Sequence, residues 1–155
     1  MAGSVDRVRE ALRAKAHPDD IVTFPDSTRT AAEAATAVGC EVAQIAKSIL
    51  FRAGDTPVLV VASGANRIDT AKVEAAVSAP VQRPDAAWVR QVTGFAIGGV
   101  SPVGHLTAPT VLIDADLSAL DPIWAAAGAP NAVFRTGFAE LVRCARQARR
   151  YERRY

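Results

Sequence analysis

Apolar residues at the start of the chain recur at helical spacing and are followed by a short extended stretch. Val5, Val8 and Leu12 would share one face of a helix running from about 4 to 16. The next apolar run, 21–24, is too short for another helix and is followed by a proline, which favours a strand. We therefore expect the N-terminal part to contribute one helix and one strand.

An alanine-rich segment comes next, and both of its ends carry helix signals. Thr30 precedes Glu33 by three residues, which is the spacing of a capping box. Gly39 suits the end of a helix, because a residue without a Cβ adopts the left-handed conformation at little cost. The sequence therefore predicts a second helix between Thr30 and Gly39.

Two longer apolar runs lie in the middle of the chain. They span 45–52 and 57–62, and the Gly54-Asp55 pair between them favours a turn. Two extended runs joined by a short turn are typical of a hairpin. We expect both runs to lie next to each other in a sheet.

The remaining elements are short and alternate between helix and strand. A helix capped by Asp69 or Thr70 is expected to reach Val77, and Pro84 suits the first turn of a helix that carries Trp88. Three further apolar runs predict strands: 110–113, 123–127 and 132–134. Because no regular strand–helix–strand repeat is present, we predict an α+β fold with a mixed, largely antiparallel sheet surrounded by helices.

Length and composition narrow the class of protein. A chain of 155 residues, half of them apolar and 22% charged, fits a single domain over 1–155. No apolar run approaches the roughly 18 residues that span a bilayer, so we expect a cytoplasmic protein without a membrane partner. Cys40, Cys144, His17 and His105 do not have the spacing of a metal site, and we expect neither a metal nor a cofactor.

Arginines are concentrated near the C-terminus. The chain has fifteen arginines and three lysines, and on a helix over about 137–155 six of the arginines would share an arc of roughly 140°. These are Arg143, Arg146, Arg149, Arg150, Arg153 and Arg154. This basic face is either solvated or a contact surface for RNA phosphates, through Arg143, Arg146 and Arg150 in particular.

Lys47 is the most unusual residue of the predicted hairpin. Strand alternation places it on the same face as Ile45, Ile49 and Phe51. Burial disfavours a charged ammonium group, so a polar partner or a ligand is implied. The alternative is a lysine near a strand end whose ammonium group reaches water along its own apolar stem.

A glycine-rich segment, TGFAIGGVSPVG over 93–104, is the second candidate feature. Its glycines allow the backbone to approach a ligand closely, and Pro102 stiffens the turn. It lacks the pattern of a phosphate-binding P-loop or of a dinucleotide fingerprint. From composition alone, it is either a binding loop or a structural loop.

Several short motifs follow one another between about 20 and 143. They are Ala46-Lys47-Ser48-Ile49-Leu50-Phe51, the run 57–62, Thr93-Gly94-Phe95, the loop 98–104, Ile113-Asp114 and Ala126-Ala127-Gly128. In this order they resemble the landmarks of the YbaK-type aminoacyl-tRNA deacylases, a family of editing domains associated with prolyl-tRNA synthetase. The lysine and the G-x-x-x-P loop are the most specific of these landmarks.

The resemblance implies hydrolysis of a wrong amino acid from the 3′ end of tRNA. Lys47 matches the family's lysine, which holds and polarises the aminoacyl-adenosine end. The loop 98–102 matches the G-x-x-x-P loop, whose amides bind around the scissile carbonyl. The implied catalytic residues are Lys47, Gly98, Gly99 and Ser101, and Val100 and Pro102 are implied to bind substrate. The implied partners are the acceptor end of an aminoacyl-tRNA and an aminoacyl-tRNA synthetase.

Other residues are weaker candidates for substrate binding. Thr30 is either a helix cap or a pocket wall, and Ser48 is either a packed hydroxyl or a substrate contact. Ser101 either donates to the substrate or is a turn hydroxyl that satisfies local backbone groups. Gly128 matches the family's later glycine, whose role is either pocket shape or a turn. We interpret Asp114 and Asp116 as turn or capping residues, because no further metal ligands cluster with them.

Two other functions compete with deacylation. A non-catalytic module of the same fold would bind RNA or a synthetase through the basic helix, but it would need neither Lys47 nor the glycine loop. A Schiff-base enzyme would use Lys47 as nucleophile, but it usually needs an acid–base partner that the sequence does not reveal. We therefore favour substrate-assisted ester hydrolysis, with alanine, cysteine, serine, threonine and α-aminobutyrate as candidate amino acids.

Overall fold

The chain folds around one mixed sheet. The structure, a computed structural model, describes residues 3–25, 30–145, 150–153 and 155, and of 150–153 only the backbone. The strands in this part of the chain are β1 (Ile21–Thr23), β2 (Ile45–Ala53), β3 (Thr56–Ser63), β4 (Thr110–Asp114), β5 (Ile123–Ala126), β6 (Ala132–Thr136) and β7 (Arg150–Arg153). Their order across the sheet is β1-β6-β5-β2-β3-β4-β7.

The sheet combines both kinds of strand pairing. β2 and β3 form the predicted antiparallel hairpin, and β1–β6 and β5–β6 are also antiparallel. The pairs β2–β5, β3–β4 and β4–β7 are parallel. The predicted α+β fold with a mixed sheet is therefore confirmed.

Five α-helices lie in the described residues: α1 (Ser4–Ala14), α2 (Ala31–Val38), α3 (Thr70–Val77), α4 (Ala86–Thr93) and α5 (Phe138–Cys144). The predicted ends of α2 are confirmed, since Thr30 Oγ1 accepts the Glu33 N–H at 3.1 Å and Gly39 is left-handed with φ 76°. Asp69 caps α3 by accepting the Ala71 N–H at 3.0 Å. None of these helices is long and apolar enough to cross a bilayer.

The two faces of the sheet bury separate apolar clusters. The larger cluster joins Leu50 and Leu59 of the hairpin to α1 and to Phe95, and the smaller one packs Phe51 and Val60 against α3. Lys47 pairs with Ala62, so it lies on the face of the smaller cluster. This agrees with the predicted apolar surroundings of the lysine.

The predicted basic helix over about 137–155 is wrong beyond its first two turns. α5 ends at Cys144, and the chain returns as β7, which pairs with β4 in parallel. The backbone N–H of Asp69 donates to the carbonyl of Tyr155, whose side chain is only 3% exposed. A strand is favoured here because the outer edge of β4 would otherwise present unpaired backbone groups.

The arginines therefore do not share the predicted helical face. Arg143 is exposed on α5 and donates a hydrogen bond to the carbonyl of Lys15. Arg150 belongs to β7, where its backbone pairs with Val111. Arg146 lies outside the described residues. Over 137–145 and 150–153, the described backbone thus does not form the continuous helix on which the basic face was predicted.

Candidate functional site

One cavity brings together the two features singled out in the sequence. It has a volume of about 170 Å³ and is lined by Lys47 and Ser48 of β2 and by Gly98 and Val100 of the glycine loop. Thr30, at the start of α2, lies on its wall. Residues more than 45 positions apart in the sequence thus meet in a single hollow.

An open stretch of the edge of β2 forms one side of this cavity. β5 pairs with β2 as far as Ala46, and on the same edge Arg52 exchanges two backbone hydrogen bonds with Gln82, at 2.8 and 2.9 Å. Strand geometry repeats every two residues, so Ser48 and Leu50 point their backbone groups toward the same edge. The described residues supply no partner for these groups. The edge can therefore bind a ligand through main-chain donors and acceptors.

Lys47 is held by a polar network behind the cavity. Its Nζ donates to the backbone carbonyl of Asn66 at 2.5 Å. The Asn66 side chain donates to carboxylate oxygens of Asp114 and Asp116, both at 2.8 Å. Asp114 is fully buried and also accepts the backbone N–H of Ser63. The lysine is thus positioned by a backbone carbonyl that a buried carboxylate holds in place.

The surroundings of Lys47 change its acidity. Burial lowers the pKa of Lys47, and the negative charge of Asp114 partly opposes this effect. A partly dehydrated ammonium group interacts more strongly with a nearby carbonyl or anion than a fully hydrated one. This environment suits a group that binds and polarises a substrate.

The network confirms one interpretation and adds a residue that the sequence did not reveal. Asp114 accepts the backbone N–H of Asp116 at 2.9 Å, as a capping residue does. Asn66 had no distinguishing signal, because it lies in a polar turn after β3 where asparagine is common. Its role follows only from the parallel pairing of β3 with β4, which brings the turn after β3 close to Asp114 at the end of β4.

The tip of the glycine loop offers two backbone donors to the cavity. Gly98 and Val100 both line it, and no described residue accepts a hydrogen bond from their N–H groups. Gly99 differs from them, since it is buried and its N–H donates to the carbonyl of Ala96 at 2.9 Å. A Cβ on Gly99 would lie 2.7 Å from the Cα of Ala129. Gly99 therefore allows two loops to pack closely, while Gly98 and Val100 carry the available donors.

Ser101 and Pro102 lie beneath the tip and do not line the cavity. Ser101 is fully buried, and its Oγ accepts the backbone N–H of Val103 at 3.2 Å. His105 Nε2 donates to the carbonyl of Ser101 at 2.6 Å, and its ring packs edge-on against Phe95. These contacts fix the base of the loop, so both residues support its shape.

His105 gives a testable pH dependence of stability. Burial lowers the pKa of His105 to about 4, the hydrogen bond to Ser101 opposes this shift, and the charge of Arg7 adds to it. In the unfolded chain the imidazole binds a proton near pH 6.5, which the folded protein disfavours until about pH 4. The free energy of unfolding should therefore fall by about 3 kcal/mol from this group as the pH drops through that interval.

The measurement is urea unfolding between pH 4 and 7 for the wild type and for His105→Gln. We expect the variant to show a shallower decline in the free energy of unfolding over this interval, whatever its stability at pH 7. Equal declines in the two proteins would contradict the assignment, because all other titrating groups are common to both.

The three remaining candidate residues have different positions. Thr30 lines the cavity, although its Oγ1 already caps α2 through Glu33. Ser48 also lines it, and its buried Oγ has no hydrogen-bond partner among the described residues. Gly128 lies away from the lining: its carbonyl accepts the Ser4 hydroxyl at 2.7 Å, and its φ of 97° suits only glycine. Gly128 therefore joins its loop to the start of α1.

Sequence reasoning missed the apolar walls of the cavity. Alanines supply half of the apolar lining residues, from α2, β2, β5 and the 126–132 segment, and Trp124 also lines the cavity. The alanine positions are Ala31, Ala34, Ala46, Ala125, Ala126, Ala129 and Ala132. The density of alanines in these segments is visible in the sequence, but only the fold shows that they face one hollow. Small wall residues leave a narrow apolar space.

The fold and the cavity together define an α+β protein with a small apolar pocket, a partly buried lysine and free backbone donors. The family model of the aminoacyl-tRNA editing domain matches residues 25–144. The protein belongs to this aminoacyl-tRNA editing domain family.

The chain is also similar to individual proteins. The chain is 32% identical over 124 residues to the uncharacterized protein YwhH of Bacillus subtilis (strain 168), covering 79% of each chain. It is 40% identical to a crystal structure described as a candidate trans-editing enzyme for prolyl tRNA synthetase, with a TM-score of 0.90 over 100% of this chain and 99% of the other. The hypothetical protein APE2540, at 24% identity and a TM-score of 0.84 over 95% and 97%, shares the fold.

Proposed function

We propose that the protein hydrolyses the ester bond of a mischarged aminoacyl-tRNA, acting in trans. The observation that carries this proposal is the meeting of Lys47 with the free N–H groups of Gly98 and Val100 at one small apolar cavity. A cation and backbone donors around a hollow suit an ester whose carbonyl gains negative charge during hydrolysis. Membership of the editing-domain family supports the same substrate class.

In this mechanism the amino-acid side chain enters the alanine-lined cavity. Lys47 binds the ester end, and the N–H groups of Gly98 and Val100 donate to the carbonyl oxygen as it becomes an oxyanion. Such donors act without reorganisation because the loop already holds them in place. The narrow walls favour a small side chain, although one methylene changes binding by only about 1 to 3 kcal/mol.

Water is the nucleophile in the proposed reaction. Ser48 Oγ has no basic partner among the described residues, so it is not activated for attack. We assign the orientation of water to the free hydroxyl of the terminal ribose. Water adds to the carbonyl carbon, the bond to the ribose oxygen breaks, and that oxygen takes up a proton. The products are the free amino acid and uncharged tRNA.

The proposed reaction also indicates which molecules the protein binds. The acceptor end of an aminoacyl-tRNA is the substrate, and the chain would act in the cytoplasm, where tRNA is charged. Similarity to a candidate trans-editing enzyme for prolyl tRNA synthetase supports a tRNA charged by that synthetase and an association with it.

The test is ester loss from a panel of tRNAs charged with alanine, cysteine, serine, threonine or α-aminobutyrate. We expect the purified protein to release one or two of these amino acids well above the spontaneous rate and to leave the correctly charged tRNA intact. Binding of tRNA without release of any of them would instead favour a non-catalytic RNA-binding module.

A further inference from the structure

A second cavity continues from the first along the open edge of β2. It has a volume of about 360 Å³ and shares Ser48 and Val100 with the first cavity. Its own lining includes Leu50 and Arg83. The two hollows thus form one groove, with Lys47 toward one end and Arg83 toward the other.

Within the part of the chain that the structure describes, the guanidinium group of Arg83 has no polar partner. The residue is exposed, and its Cζ lies 5.5 Å from the centre of the Phe51 ring. No ion pair or hydrogen bond joins it to any other described residue. The nearby carboxylate of Asp85 is used at the start of α4, where it accepts the Trp88 N–H at 2.7 Å. Contact with an aromatic ring orients the guanidinium and leaves its N–H donors available.

Arg52 is a second arginine with which the surroundings of Arg83 can be compared. It also packs over an aromatic ring, with its Cζ 4.7 Å from the centre of Trp88. Its guanidinium, however, donates to Asp55 at 2.9 Å and to the carbonyl of Gly54 at 2.7 Å. The Arg52 guanidinium therefore has hydrogen-bond acceptors within the protein, whereas the Arg83 guanidinium has none among the described residues.

The chemistry of the substrate suggests what Arg83 binds. In an aminoacyl-tRNA only the terminal ribose separates the ester from the nearest negative charge, the 5′-phosphate of the last nucleotide. With the ester at Lys47 and the amino-acid side chain in the first cavity, the second cavity offers that nucleotide a path along the groove toward its other, cationic end. A guanidinium group matches the paired oxygens of a phosphodiester.

We propose that Arg83 binds the phosphate on the 5′ side of the terminal nucleotide and so orients the ester in the first cavity. This inference rests on the proposed function and adds a tRNA-binding residue to it. Arg83 does not touch the reacting atoms, so its contribution is to substrate binding.

The experiment compares Arg83→Gln and Arg83→Lys with the matched control Arg52→Gln on two substrates. One is the mischarged tRNA, and the other is the corresponding 3′-aminoacyl-adenosine, which has no phosphate. We expect Arg83→Gln to lower kcat/KM for the tRNA by about tenfold, mainly through KM, and to leave hydrolysis of the aminoacyl-adenosine unchanged. Arg83→Lys should recover part of the loss, and Arg52→Gln should match the wild type on both substrates.

Salt dependence gives a second readout that a purely structural role would not change. Loss of one phosphate contact should reduce the slope of log binding constant against log salt by about 0.7. The ligand for this measurement is a CCA trinucleotide carrying the amino acid through an amide, which no ester hydrolase can cleave. Binding of this trinucleotide tests the role of Arg83 even if the wild-type protein cleaves neither ester. Failure to cleave either ester would refute the proposed function, and it would leave the binding test of Arg83 intact.

Two outcomes would overturn the assignment of Arg83. One is an equal loss of activity on the tRNA and on the aminoacyl-adenosine, which would indicate a structural role. The other is wild-type affinity of Arg83→Gln for the amide-linked trinucleotide, with an unchanged salt slope.

Discussion

Lys47→Ala is expected to lower kcat/KM for the mischarged tRNA by about 100-fold or more, the range measured when one preorganised donor is removed from a developing oxyanion. The expected loss is large because Lys47 is held in place by Asn66 and Asp114, so the cation does not have to be reoriented during the reaction. Burial also strengthens its interaction with the ester. Single-turnover release of the amino acid measures the effect.

Lys72→Ala is the matched control, because Lys72 is an exposed lysine on α3, away from the residues that line the cavity. It should keep wild-type activity. Lys47→Ala should unfold cooperatively at a temperature close to that of the wild type, which separates lost chemistry from lost structure. Wild-type release of the amino acid by a folded Lys47→Ala protein would refute the assignment of the lysine.

Gly99→Ala should affect both stability and activity. Its new methyl group would lie 2.7 to 3.0 Å from three backbone atoms of Ala129, and backbone cannot rotate away as a side chain can. Overpacking of this kind typically costs about 1 to 3 kcal/mol of the free energy of unfolding. The glycine loop should also move away from the 126–130 segment and displace the N–H groups of Gly98 and Val100. We therefore expect at least a tenfold loss of kcat/KM, measured alongside urea unfolding.

Gly98→Ala tests the same loop without the backbone clash. A methyl group there would meet only the Pro130 side chain, at 3.6 Å, which is ordinary van der Waals contact. The free energy of unfolding should stay within about 0.5 kcal/mol of the wild type, as for most substitutions away from such features. If Gly98→Ala destabilised the protein as much as Gly99→Ala, the clash with Ala129 would not be the cause.

Local signals were sufficient to predict much of the fold. The hairpin followed from two apolar runs around Gly54, and the helix ends followed from Thr30, Gly39 and Asp69. These features depend on residues that are close in sequence, so their physics can be read from the chain directly. The apolar surroundings of Lys47 followed from strand alternation in the same way.

The C-terminal strand could not be predicted because the strand with which it pairs is distant in sequence. The spacing of apolar and basic residues near the C-terminus fits a helix. The segment Arg150–Arg153 instead pairs with the open edge of β4, which lies about forty residues earlier in the sequence. Tertiary pairing of this kind overrides a local periodicity. The helical arrangement of the arginines was inferred from that same periodicity, so the described backbone contradicts it as well.

The candidate site was predictable only in part. The resemblance to a family identified Lys47 and the glycine loop, but not which amides of the loop are free. That distinction between Gly98 and Gly99 depends on the hydrogen bond to Ala96 and on contact with Ala129. The roles inferred for Asn66 and Arg83 likewise depend on which segments of the chain meet in three dimensions.

In the proposed reaction, the donors assigned to the carbonyl oxygen are main-chain N–H groups of the glycine loop, those of Gly98 and Val100. Every amino acid except proline carries the same N–H group, so mutation can replace the neighbouring side chains and still retain these donors. The alanines on the walls of the cavity contribute side chains, and these do change when the residue is replaced. Under the proposed function, exchanging these alanines one at a time would change which amino acid fits, while the ester would still meet the same donors. Related enzymes could diverge in selectivity by this route and keep the same donors for the carbonyl oxygen.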